Sequence, residues 1–426
     1  MPQHYKVKCQ FCGLNFDDDG FILECPVKHE ETALLITEYS AVRFEPDHFG
    51  QGVFRYRSWL PSRHNIHSAG RTVTYHSQKL SLTLGLPNLW IAFNGYWQEK
   101  GAMLETATFK ELEAYAVLSR LSRQQQGTLV LASAGNTAAA FALVCSQNQI
   151  PCLIVVPASG LARMKFIQPL HPCVKIISLV GLTSYDDAIN LANNIAQQKG
   201  FFLEGGVKNI GRRDGMGTTM LNAVETMGQL PDYYFQAIGS GAGAIAVHEA
   251  AKRLIDDGRF GQKLPRLMLS QNFPFVPIYN AWKSNQRQLL KVNKEVNQQQ
   301  VQQIVADVLS NQRPPYAAIG GVFDVLKESQ GDTFWADNQE TLQAIDLFQT
   351  IEGVLIEPAA GVALATLIKA ASHNLIDNTA VILLHITGGR CNQSSFSQLL
   401  PAQPTLQFNE SEILTKRTLE KILELF

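Results

Sequence analysis

Apolar residues fall along most of the chain in runs of five to seven, and between the runs they return at helical spacing. Leu89–Phe93, Thr128–Ala132, Cys152–Val156, Val174–Leu179, Tyr233–Ile238, Arg266–Ser270 and Ala380–Ile386 read as strands. AAAFALVCSQN, AIAVHEAAKRL and GVALATLIKAA read as the helices that cover them. Ser184, three residues ahead of Asp187, predicts a capped start for the helix YDDAINLANNIAQQ. Short β-rich runs alternating with helices predict an α/β chain: two doubly wound, mostly parallel sheets, each buried on both faces. The alternation in Phe54-Arg55-Tyr56-Arg57 predicts a strand with one basic face. The Gln- and Asn-rich stretch 290–350 reads as mixed helix and loop. We expect a small appendage over 1–36, a large unit of 37–94 and 180–390, a small mobile α/β unit over 95–179, and a C-terminal tail and helix over 391–426.

Composition narrows the class of partner. Of 426 residues, 46% are hydrophobic and 17% charged, with a net charge of −1, which argues against a nucleic-acid or membrane surface and requires any anion site to be local. The start, MPQHYKVKCQ, lacks the apolar core of a leader, and no apolar run reaches membrane-spanning length. Seven cysteines in a chain this long do not make a disulfide framework, so a reducing cytoplasm is expected. Cys9, Cys12, Cys25 and His29 form a C-x2-C-x12-C-x3-H pattern that can surround one tetrahedral Zn²⁺. The alternative is a metal-free hairpin held by Phe11, Phe16, Phe21 and Leu23.

Candidate chemistry sits in loops that follow strands, where open α/β sheets bind ligands. Lys110, in TATFKELEA, stands at a helix start between apolar neighbours, a setting that favours the neutral, nucleophilic amine. Ser133-Ala134-Gly135-Asn136-Thr137 is a small-residue turn opening a helix, suited to gripping a carboxylate. Gly239-Ser240-Gly241-Ala242-Gly243 lets backbone approach a phosphate at a helix start. It also fits a loose dinucleotide loop, but the next strand ends Leu-Ser-Gln-Asn, with no acid for a ribose. Thr387 closes the last strand, where its hydroxyl can meet a pyridine nitrogen without protonating it.

TATFKELEA, ASAGNT, GSGAG and ITGG, in this order, resemble the fold-type-II pyridoxal-phosphate enzymes, the group of threonine synthase and cysteine synthase. NGYWQEKGA, EGG-x-x-N-x-x-RR-x-GMGT and QNFPFVPIYNAW resemble the branch that makes L-cysteate from O-phospho-L-serine and sulfite. The resemblance implies that Lys110 carries pyridoxal 5'-phosphate (PLP) and acts as general base, that Asn136 meets its 3-oxygen, that Gly239–Gly243 cradle its phosphate and that Thr387 meets its ring nitrogen. It implies that Ser133–Thr137 hold the substrate carboxylate, with Lys100, Arg212 and Arg213 as candidates for its phosphate or an anionic nucleophile. It implies a homodimer acting on small molecules. Threonine synthase, another β-replacement or elimination enzyme of this fold, and a catalytically silent binding protein remain as alternatives.

Overall fold

The computed structural model describes residues 4–122, 127–133, 135–181, 183–391 and 399–426, and its core is two β-sheets. The first sheet runs Phe201–Leu203, Thr128–Ala132, Cys152–Pro157, Val174–Val180, Leu406–Asn409, with all neighbours parallel. The second runs Asp332–Ala336, Arg266–Asn272, Tyr233–Ala237, Ile382–Ile386, Leu89–Phe93, Val73–His76. Only its last pair is antiparallel.

Central strands are apolar on both sides because both faces are covered. Cys152–Pro157 and Ile382–Ile386 are buried along their whole length. Leu112, Tyr115 and Ala116 of the helix Lys110–Arg120 join Leu129, Leu131 and Ile154 in one core. On the opposite face, Ala188, Leu191 and Ile195 of the helix Tyr185–Ala196 pack with Val130, Val155 and Ile177. The second sheet lies between the helix Pro358–Ser372 on one side and the helices Ile210–Met227 and Ala242–Asp257 on the other. Ser184 does cap its helix, reciprocally with Asp187.

Three expectations are corrected. Phe54–Arg57 lies in a 3-10 helical turn, Gly52–Trp59, not a strand. Val53, Tyr56 and Trp59 recur every third residue and are buried, Phe44 packing 5.3 Å from Trp59; four residues of alternation could not reveal that longer period. The small unit does not stop at 179. Strand Phe201–Leu203 hydrogen-bonds to Thr128–Val130, and Leu406–Asn409 pairs with Ile177–Val180, so residues from the expected large unit and tail complete its sheet. The stretch 290–350 contains an edge strand, Asp332–Ala336, as well as helices.

The N-terminal ribbon has three strands, with Tyr5–Cys9 between Asn15–Phe16 and Leu35–Tyr39. Buried Arg120 donates to Asp18 at 2.8 Å, and Tyr39 Oη donates to Asp214 at 2.7 Å, which fixes the ribbon to the helices Lys110–Arg120 and Ile210–Met227.

Candidate active site

A cavity of about 1250 Å³ gathers most of the loops singled out in the sequence: Lys110, Ser133, Gly135, Asn136, Thr137, Arg212, Gly239–Gly243 and Thr387 all line it. Ala134 lies outside the described residues. Lys100 does not reach the cavity; it is exposed, with its amine 4.3 Å from the Tyr75 ring centroid and 5.1 Å from that of Trp97. Arg213 also points elsewhere. It is held by Glu249 at 3.1 Å and by the carbonyls of Leu35 and Val207, because a one-residue step rotates it about 100° around the helix from Arg212.

Lys110 is held in place by backbone pairing across the site. Phe109 N–H donates to Thr387 O at 3.0 Å and Gly389 N–H donates to Ala107 O at 3.0 Å, so the lysine loop and the end of the last strand form one unit. Ala107 adopts φ +57°, a left-handed conformation uncommon for alanine, two residues ahead of the helix's N-cap Phe109. Glu111 fastens the loop from the helix side: its carboxylate accepts from Thr106 Oγ1 and Tyr115 Oη, each at 2.6 Å. Burial pushes the Glu111 carboxyl up to about 7.

Around the Lys110 amine lies a charged cluster that the sequence did not reveal. Glu113, fully buried one turn along the helix, sits 3.2 Å from Lys110 Nζ. Its carboxylate also accepts from Thr137 Oγ1 at 2.8 Å and from Arg212 at 3.2 Å. Arg212 is held from the other side by Glu204 at 2.8 Å. Burial lowers the Lys110 pKa, Glu113 raises it and Arg212 lowers it again, leaving it below the ordinary lysine value. Burial opposes the Arg212 charge, but Glu113 and Glu204 outweigh it and keep the guanidinium protonated. The spacing Lys110/Glu113 is a one-face helical pair and could have been read from the sequence; Glu204 and Arg212 come from distant segments.

A second buried network, polar but neutral, meets the cavity at Gln236. His385 is buried and bonded at both ring nitrogens, to Tyr234 Oη at 2.6 Å and Asn94 Nδ2 at 2.7 Å, and burial lowers its pKa to about 3. Tyr234 Oη also lies 3.1 Å from Gln236 Oε1, and Gln236 lines the cavity below the glycine loop. A Cβ on Gly241 (φ +78°) would come within 2.3 Å of Val322, and one on Gly243 within 2.5 Å of Gln236 Nε2, so Gly241 is held to glycine and Gly243 could gain a Cβ only by moving the Gln236 amide. The helix Ala242–Asp257 opens directly from it; Ser240 Oγ takes the Ala242 N–H at 3.3 Å, and the rest of the first turn can serve an anion. Thr108 Oγ1, in the cavity wall, is buried with no hydrogen-bond partner among the described residues. An amine, an anion cradle and an unsatisfied hydroxyl in one chamber fit a phosphorylated carbonyl cofactor. Lys110 would hold it covalently, Gly239–Gly243 its phosphate, and Asn136 and Thr387 its ring.

In the ribbon, the donor atoms of Cys9, Cys12, Cys25 and His29 all lie within 4.8 Å of one another. Three thiols and an imidazole so arranged match the donor set of a structural zinc. Phe21, Leu23 and Glu24, just before Cys25, and Glu30, Glu31 and Thr32, just after His29, line the cavity.

Known proteins match this architecture. Residues 72–388 fit the family model of the pyridoxal-phosphate dependent enzymes. A cysteate synthase of Methanosarcina barkeri is 42% identical over 391 residues, covering 91% of this chain and 92% of the relative. One of Methanocorpusculum labreanum is 43% identical, covering 90% and 92%. Among solved structures, maize serine racemase superposes with a TM-score of 0.55 at 18% identity, over 76% of this chain and 89% of its own, a likeness of fold. The sheets, the lysine chamber and these relatives together show that the chain belongs to the pyridoxal-phosphate-dependent enzymes, within the cysteate synthase family.

Proposed function

We propose that this chain converts O-phospho-L-serine and sulfite into L-cysteate and phosphate: the Cβ–O bond to phosphate breaks and a Cβ–S bond to sulfite forms. The observation that carries the reading is the enclosure of Lys110 by the glycine, Ser133–Thr137 and Thr387 loops in one chamber, in a chain about 42% identical to cysteate synthases. When bound, pyridoxal phosphate supplies an electron sink at the substrate's α-carbon. Lys110 Nζ takes the Cα proton as general base. Thr387, a neutral partner for a ring nitrogen, favours elimination and replacement over transamination. The Ser133 hydroxyl oxygen accepts the N–H groups of Gly135 and Ala138, both at 3.0 Å, which shapes the turn meant for the substrate carboxylate. Of the three basic residues first considered for the phosphate or sulfite, Arg212 alone lies at the chamber.

Purified protein supplied with phosphoserine and either sulfite, sulfide or no nucleophile tests this. Cysteate and phosphate in equal amounts, with sulfite only, support it. Threonine from O-phosphohomoserine, or no turnover by a protein that takes up no PLP, overturns it. Among the described residues no helix is long and apolar enough to cross a membrane. The same reading expects a cytoplasmic homodimer whose smaller sheet unit moves over the substrate, which sedimentation with and without phosphoserine would examine.

A further inference from the structure

We propose that Glu113 is a positioning residue that governs the protonation of Lys110 and ties it, through Thr137, to the loop that receives the substrate. This rests on Lys110 being the base of the reaction above. The geometry is specific. Glu113 has no exposed surface, so its carboxylate requires partners, and three reach it from three different helices: Lys110 of its own helix at 3.2 Å, Thr137 at the start of the helix Asn136–Asn148 at 2.8 Å, and Arg212 of the helix Ile210–Met227. A carboxylate buried without such partners would be costly, so the cluster is held together as a unit. Thr137 Oγ1 spends its proton on Glu113, so this hydroxyl orients the acid and does not donate to a substrate carboxylate.

The groups facing Lys110 are Glu113 on its own helix, Arg212 from the helix packed against it and Glu204 behind Arg212; Tyr185 lines the same cavity. With Lys110 protonated, two carboxylates and two cations balance. When its amine is neutral the cluster carries one excess negative charge, and the nearest carboxylate is Glu113. Its proximity stabilises the ammonium form, so it strengthens the amine as a base where burial alone would leave it too weak. A charge placed one helical turn away does this without occupying the chamber.

The test reads Lys110 directly. Cofactor-free protein is labelled with acetic anhydride over a pH series, and modification of Lys110 is followed by peptide mass spectrometry. Glu113→Gln keeps the volume and an acceptor for Thr137 but removes the charge. The pH of half-reactivity should fall by at least about one unit. In the cofactor-loaded enzyme, kcat for phosphoserine should drop about tenfold or more with KM changed less than about twofold. Glu113→Asp retains the charge at greater distance and should give a smaller shift in the same direction, which keeps the test open if the amide variant does not fold. Thr137→Val should leave the Lys110 titration at the wild-type position. A Lys110 titration unmoved in both Glu113 variants would overturn the proposal, whatever their stability. The labelling uses no substrate, so an error about sulfite would show only in product identity.

Discussion

Two buried polar networks of opposite character reach the chamber. One is charged, with Lys110, Glu113, Arg212 and Glu204 in contact. The other is neutral, with Asn94, His385, Tyr234 and Gln236 linked by hydrogen bonds and His385 held uncharged by burial. Charges buried in mutual contact are expensive to assemble and respond strongly when one is removed. A neutral chain supports shape and is indifferent to pH near neutrality. On the function proposed above, the first network handles the proton and the second supplies rigidity.

Breaking the charged wall at its centre should have the largest effect. Lys110→Ala should lower turnover at least about a thousandfold and remove the yellow, borohydride-bleachable absorbance of the PLP-loaded protein. Arg212→Met would leave Glu113 and Glu204 without their shared cation and should cost about 3 kcal/mol in urea unfolding. In the neutral network, His385→Phe leaves Tyr234 and Asn94 each short of a partner, a loss of about 1–3 kcal/mol at pH 7.5. The sign of its pH dependence sharpens the contrast. The unfolded chain protonates this histidine below about 6.5 while the folded one resists until about 3, so the wild type loses about 1.4 kcal/mol per pH unit from this residue on acidification through that window. The variant lacks that slope, and its deficit should shrink as pH falls. Smallest should be Gly243→Ala, which displaces the Gln236 amide and should weaken PLP binding about fivefold, measured by fluorescence titration.

Much of this was legible in the chain. Strand ends such as Thr128–Ala132 and the Ser184 cap carry local signals of periodicity and capping, and they lie where those signals put them. The chamber loops were legible for a related reason: glycine and hydroxyl residues follow strands, and strand ends converge. The charged wall was not, because Arg212 meets Glu113 across 99 residues and no local pattern reports such a pairing. Arg212 and Arg213 are adjacent in sequence and were treated alike, yet helical geometry sends one to the chamber and the other to Glu249. Lys100 was a surface lysine resting on two aromatic rings.

The ribbon takes on a different meaning once the residues on either side of Cys25 and His29 are seen to border the cavity. A fingertip that looks like an ornament at the edge of the chain is part of the enclosure itself. Whatever straightens or buckles that fingertip reshapes the chamber's boundary.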